Sequence, residues 1–218
     1  MIQRVYEQAI NAKSLYRIIV ATDHPDIHDH VKQFGGECFM TGIHHSSGTD
    51  RCFEVLTHYK EPVDYVINIQ GDEPFIHPLQ INLLSTVLDG KTEIATLIKK
   101  IDQEEQLINP NVVKVATSSS QTALYFSLSP IPHIRNKPVD EWLQAHTFYK
   151  HIGMYAYRTD VLKAITQLQQ SGLEKAESLE QLRWLENGYK ISIAETTLES
   201  IGIDTPDDLK KAMKSFDD

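Results

Sequence analysis

Apolar and polar positions alternate along this chain in two rhythms, one helical and one extended. Ile2, Val5, Tyr6, Ala9 and Ile10 recur at helical spacing, so the sequence opens inside an amphipathic helix. Tyr16 to Ala21 reads as a buried strand. Thr22-Asp23-His24-Pro25 starts a helix, with the proline near its first turn, and Gly35-Gly36 stops it. The pattern repeats with a strand at Glu37–Thr41, a helix from Thr49 to about Tyr59 and a strand at Tyr65–Gln70. A helix at Pro78–Leu88 and a strand at Ile94–Ile98 follow. Strand and helix in alternation predict a largely parallel, doubly wound sheet.

Past Ile98 the rhythm changes. Val112–Ala116 and Ala123–Ser127 are strands with no long helix between them, which predicts a hairpin. Gly153–Tyr157 is the next strand and Thr159–Leu168 the next helix. A helix at Glu177–Glu186 ends at Asn187-Gly188, Ile191–Ala194 is a strand, and Pro206–Met213 is the last helix. Repeats, low-complexity tracts and linkers are lacking. The reading is one α/β domain over residues 1–218 with a small β insertion.

Composition narrows the class. The chain has 218 residues, 41% hydrophobic and 23% charged, as expected for a globular protein. A formal net charge of −9 argues against a broad nucleic-acid-binding face. No apolar run approaches the ~18 residues of a membrane span. Met1-Ile2-Gln3-Arg4 does not read as a signal peptide. Cys38 and Cys52 form no C-x-x-C motif, and a cytoplasmic protein with free thiols is expected.

The candidate chemistry centres on Val66-Ile67-Asn68-Ile69-Gln70-Gly71-Asp72-Glu73-Pro74. An apolar strand stops at Gly71, and two carboxylates follow where open α/β sheets bind ligands. A hard oxygen ligand at Asp72 suits Mg²⁺ and a phosphate-bearing substrate. Asp204, in Gly202-Ile203-Asp204-Thr205-Pro206, is a second strand-end carboxylate that can join Asp72 at one ion. Ser46-Ser47-Gly48-Thr49-Asp50-Arg51 is either a capped helix start or a site for polar and anionic ligand groups, with Arg51 as a fixed charge. His151 and Tyr155 share a strand face by the period of two. Glu180 and Gln181 lie on a polar helix segment that also reads as a solvated face. His24, His28 and His30 among aspartates suggest zinc only weakly, without a supporting Cys or H-E-x-x-H pattern.

Taken together, these motifs resemble the 3-deoxy-manno-octulosonate cytidylyltransferase family. The matching stretches are Ala21-Thr22-Asp23, Phe34-Gly35-Gly36-Glu37, Met40-Thr41, Ser47-Gly48-Thr49-Asp50-Arg51, Gln70-Gly71-Asp72-Glu73-Pro74 and Pro130-Ile131-Pro132. They continue with His151-Ile152-Gly153, Glu177-Ser178-Leu179-Glu180-Gln181-Leu182-Arg183, Leu185-Glu186-Asn187-Gly188-Tyr189 and Asp204-Thr205-Pro206. Their order is the family's. The resemblance implies a nucleotidyltransferase-type, Rossmann-like α/β fold, mostly parallel, with a small β insertion used for dimerisation. It implies transfer of CMP from CTP to 3-deoxy-manno-octulosonate (Kdo), with release of pyrophosphate, for lipopolysaccharide synthesis. Ser47, Gly48 and Arg51 would meet the cytidine part, and Gln70 the nucleotide sugar. Asp72 and Asp204 would hold Mg²⁺ as catalytic ligands. Arg135, His151, Tyr155, Glu180 and Gln181 would line the Kdo pocket. A related acidic sugar, 8-amino-Kdo or sialic acid, is the alternative substrate, and a non-catalytic sugar-binding remnant is the rival from another class.

Two departures from the family pattern set further expectations. Met1 aligns just after a basic loop of the form I-P-A-R-x-x-S-x-R-x-x-G-K-P, so residues 1–218 alone are expected to turn over poorly. Leu128 stands where the family commonly carries Arg, which alters a phosphate or substrate contact.

Overall fold

The computed structural model describes residues 1–199, 202 and 203. Along the chain the elements are α1 (Ile2–Ile10), β1 (Val20–Thr22), α2 (Pro25–Gln33), β2 (Cys38–Met40), α3 (Gly48–His58), β3 (Tyr65–Asn68), α4 (Pro78–Ser85), β4 (Ile94–Lys100) and α5 (Glu104–Ile108). They continue as β5 (Lys114–Thr117), β6 (Ala123–Ser127), α6 (Trp142–Ala145), β7 (Tyr149–Arg158), α7 (Thr159–Ile165), α8 (Gly172–Glu177), α9 (Glu180–Glu186) and β8 (Ile191–Glu195).

The β-structure forms two sheets. β1 and β2 pair in parallel. The larger sheet has the order β6-β5-β7-β4-β8, and β3 also joins β7. β4 and β8 are parallel. β7 runs antiparallel to β3, β4 and β5, so β3, β4, β5 and β8 all point one way and only β6 and β7 oppose them. The fold is α/β with a mixed sheet in which one direction predominates. The β5–β6 hairpin is the expected insertion, and β6 is an edge strand of the sheet.

Two apolar layers enclose the large sheet. One gathers Ile94, Ile98, Val115, Phe126, Tyr155, Tyr157, Leu162, Leu182 and Trp184. The other gathers Val5, Ala9, Ile76, Ile81, Leu84, Leu97, Ile152 and Met154, and so seats α1 and α4. Burial of these side chains is the main force holding the layers together.

β7 does more than the expected Gly153–Tyr157 strand. It is ten residues long and changes partner midway. Tyr149 and Lys150 pair with β5, and Tyr155 to Arg158 pair with β3. Against β4, Thr96 faces Tyr155 while Leu97 faces Ile152, so Gly153 and Met154 are extra residues in a bulge. The buried Thr96 hydroxyl fastens it, donating to the Met154 carbonyl at 2.8 Å. That hydroxyl has one proton, so the contact between Thr96 Oγ1 and His151 Nε2 at 2.9 Å is a donation from the imidazole N–H.

Other boundaries also differ. Tyr16 to Ile19 lies outside β1: Tyr16 is exposed and Arg17 turns to Glu37 and Tyr59. The expected helix at Glu177–Glu186 is α9, which begins only at Glu180, because Ser178 takes a left-handed conformation (φ 56°) at the end of the preceding α8. A Ser171–Glu174 capping box starts α8, which the apolar spacing does not reveal. α5 and α6 are short and were likewise missed. The expected final helix at Pro206–Met213 lies outside the described residues.

Thr96→Val keeps the shape but removes the fastening hydroxyl, leaving the His151 N–H and the Met154 carbonyl short of a partner. Chemical denaturation should show a loss of about 1–3 kcal/mol. Unchanged stability would show that the bulge holds without it.

Candidate functional site

The turn after β3 packs against the bulge of β7. Glu73 donates its backbone N–H to the Gln70 carbonyl, and Ile76 donates to Glu73. A Cβ built on Gly153 would stand 3.1 Å from Glu73 Oε1 and 4.0 Å from Gln70 Cγ. Gly153 thus lets the Gln70–Glu73 turn lie close to the strand between His151 and Tyr155. Gln70 is exposed and Asp72 half-buried.

His151 and Tyr155 do come together, with ring centroids 5.0 Å apart. Desolvation pushes the His151 imidazole down to about 3, so it is neutral at physiological pH. Since Nε2–H donates to Thr96, Nδ1 is left as the acceptor. Tyr155 is buried, and among the described residues its hydroxyl has no hydrogen-bond partner. Burial also holds that hydroxyl protonated, well above its ordinary pKa. Trp184 stacks edge-on against Tyr155 and Tyr157.

A hydrogen-bonded chain joins α3 to α9. Ser47 caps α3, accepting from the Asp50 N–H at 3.2 Å. Thr49 donates its hydroxyl to Glu180 Oε2 at 2.9 Å and meets the Tyr157 hydroxyl at 3.2 Å. A Cβ on Gly48 would lie 3.1 Å from the Asn68 amide nitrogen, so this glycine admits Asn68 to the helix start. Glu180 is not a solvated residue. Burial raises its carboxyl pKa, against the pull of Thr49, Ser47 and Arg183. Arg183 is buried, donating to Glu180 Oε1 at 3.1 Å and to the Leu168 carbonyl, with Glu174 Oε2 3.0 Å from Nε. Gln181, next along α9, is buried. Thr49, Asn68, Tyr157 and Arg183 were not picked out by sequence reasoning. None was given a role of its own there, because only side-chain contacts between distant elements join Thr49, Tyr157 and Arg183 to Glu180.

Arg51 spans the ends of β1 and β2. It pairs with Asp23 at 2.9 Å and donates to Thr41 Oγ1 at 2.7 Å. The Arg51 hydrogen bond holds the Asp23 carboxyl below its usual range. Arg51 is therefore a positioned cation already sharing its charge. Arg135 is exposed in the turn before α6, and among the described residues no contact ties it to the other candidates. His24 and His28 each face an aspartate, Asp26 and Asp29, while His30 packs on Phe34. Among the described residues no group of three or more His, Cys, Asp or Glu side chains is placed to hold a metal ion.

The chain beyond β8 returns toward Asp72. Thr196 donates its N–H to Ile98, Glu199 pairs with Lys99 at 3.0 Å and with Lys150, and Ile203 donates its N–H to the Asp72 carbonyl at 2.9 Å. Asp204 itself lies outside the described residues.

Leu128 is held through its backbone. Its N–H donates to Glu177 and its carbonyl accepts from the buried Lys114 ammonium, which also donates to Asn109 and Val112.

His151 gives a pH prediction. Its folded pKa of about 3 lies below the ordinary 6.5, so its contribution is full above pH 6.5 and is lost as pH falls toward 3. Urea unfolding across that window should show a slope of up to about 1.4 kcal/mol per pH unit that His151→Gln lacks. Parallel curves would contradict the desolvated imidazole.

Comparison with known proteins completes the picture. Residues 1–191 match the cytidylyltransferase family. The 3-deoxy-manno-octulosonate cytidylyltransferase of Parabacteroides distasonis is 56% identical over 218 residues, covering 98% of this chain and 86% of that one. The enzyme of the same name from Cytophaga hutchinsonii is 53% identical over 210 residues, covering 96% and 84%. A solved CMP:2-keto-3-deoxy-manno-octonic acid synthetase, complexed with CTP, superposes with a TM-score of 0.90 at 40% identity, covering 99% of this chain and 87% of that one. A 4-diphosphocytidyl-2C-methyl-D-erythritol synthase from Anaerococcus prevotii, 13% identical over 100% of this chain and 86% of its own, shares the fold with a TM-score of 0.62. The chain belongs to the cytidylyltransferase family, among the 3-deoxy-manno-octulosonate cytidylyltransferases.

Proposed function

We propose that this chain transfers CMP from CTP to Kdo. The sugar's anomeric hydroxyl oxygen forms a bond to the α-phosphorus, the bond to the β-phosphate oxygen breaks, and pyrophosphate leaves. The observation that carries this reading is the convergence at Gly153. The Gln70–Glu73 turn, the His151–Tyr155 pair and the Ser47–Thr49–Glu180 chain all lie around one bulged strand.

In this reading Ser47, Gly48 and Arg51 receive the cytidine part, and Gln70 the nucleotide sugar. His151 accepts a sugar hydroxyl at Nδ1, and the Tyr155 hydroxyl, without a partner among the described residues, donates to the ligand. Glu180 and Gln181 complete the polar wall, and Arg135 answers the sugar carboxylate. A pocket of several polar groups suits an acidic polyol.

Asp72 and Asp204 are the proposed Mg²⁺ ligands. The fit rests on hard oxygen donors and on the Ile203–Asp72 hydrogen bond, one residue before Asp204. Bound there, the ion would neutralise charge on the α-phosphate and lower the pKa of the attacking hydroxyl. The residues' own task is positioning, which accounts for much of the catalysis in phosphoryl-type transfer. A homodimer through the β5–β6 hairpin is proposed from the edge position of β6 and the exposed Leu124. Among the described residues no helix is long and apolar enough to cross a membrane, and we place the reaction in the cytoplasm, where free Cys38 and Cys52 stay reduced.

The test is CMP-sugar formation from CTP and Mg²⁺, compared between Kdo, 8-amino-Kdo and sialic acid. Kdo should be preferred, and Asp72→Asn should lower turnover roughly 10²-fold or more with little change in melting temperature. A preference for sialic acid, or full activity of the Asp72 variant, would overturn the assignment.

A further inference from the structure

We propose that the Thr49 hydroxyl couples the two substrate subsites, so that nucleotide and acidic sugar strengthen each other's binding. This rests on the reading above, with cytidine at Ser47–Gly48 and sugar at Glu180–Gln181. Thr49 is 2% exposed, and its hydroxyl is fully engaged between two partners.

The direction of that engagement follows from proton counting. An ionised carboxylate only accepts, so the single Thr49 proton goes to Glu180 Oε2. The Tyr157 hydroxyl must then donate to Thr49. The chain reads Tyr157 to Thr49 to Glu180, with the Thr49 hydroxyl both accepting and donating. Such chains polarise cooperatively in a low-dielectric interior.

This chain touches both subsites, since Thr49 directly follows Gly48 at the start of α3. Asn68 closes β3, two residues before Gln70, and its amide lies against Gly48. Glu180 opens α9, and its other oxygen is held by Arg183. A ligand that orders Ser47 and Gly48 therefore also orders the carboxylate facing the sugar. A valine at this position would fill the same volume without a polar group to satisfy. The hydroxyl is what links the helices, and Thr49 is a positioning residue.

The experiment is calorimetric titration of the chain with CMP and with Kdo, each alone and with the other saturating. The unsubstituted chain should bind Kdo about fivefold or more tightly when CMP is present, and CMP by the same factor when Kdo is present. Thr49→Val should bring that factor to within about twofold of unity, and Thr49→Ser should restore it. Tyr157→Phe keeps the ring against Trp184 and removes only the donor to Thr49, so it reads the same chain if Thr49→Val does not fold. A lower melting temperature with unchanged coupling would make Thr49 merely structural and overturn the proposal. Independent binding of both ligands to the unsubstituted chain would overturn it too. Failure to bind either ligand would instead overturn the reading of the site, and the coupling with it.

Discussion

The architecture depends on one interruption in β7. A strand that ran straight would keep one neighbour along its free edge. With Gly153 and Met154 inserted opposite β4, it serves β5 along one half and β3 along the other. The Thr96 hydroxyl closes the gap, and the missing Cβ at Gly153 admits the turn after β3. His151 and Tyr155 flank the inserted residues. The same defect thus joins the sheet's parts and concentrates polar groups at one place, as bulges beside functional sites do.

Charges buried around this place are matched with care. The guanidinium of Arg183 meets Glu174, Glu180 and a carbonyl. The Lys114 ammonium spends all three of its protons on carbonyl oxygens. Removing one partner from such a set leaves a desolvated charge, which is costlier than losing an exposed pair. The arrangement gives stiffness more than net stability: each group fixes a backbone turn, α8 to α9 in one case and the Leu128 peptide in the other.

Local signals were legible where the sequence carries its own punctuation. Pro25 and Gly35 bracket α2, and Ser47 caps α3, as their chemistry dictates. The hairpin of β5 and β6 followed from two short strands without a helix between them. The bulge was not legible, because it is defined by a shift in register against β4, a partner more than fifty residues distant. The break at Ser178 was hidden for another reason: a serine in the left-handed region is set by tertiary contacts, not by propensity. In the site, His151 and Tyr155 were found from strand periodicity, whereas Thr49 stood only as part of a helix start and Tyr157 only as the end of a strand. A hydroxyl's partner 108 residues away leaves no trace in local spacing.

Just past β8 the chain is fastened by an ion pair as well as by backbone hydrogen bonds. Two lysines on neighbouring strands, Lys99 and Lys150, share the single carboxylate of Glu199, where the layers around it are held by apolar contact. Hydrophobic attachment strengthens with added sulfate, while an ion pair is screened by any electrolyte. One molecule therefore carries two kinds of adhesive with opposite responses to its solvent. The half-buried lysines blunt that screening, so electrolyte weighs on this crossing less than on an exposed pair and with the opposite sign from its effect on the apolar layers.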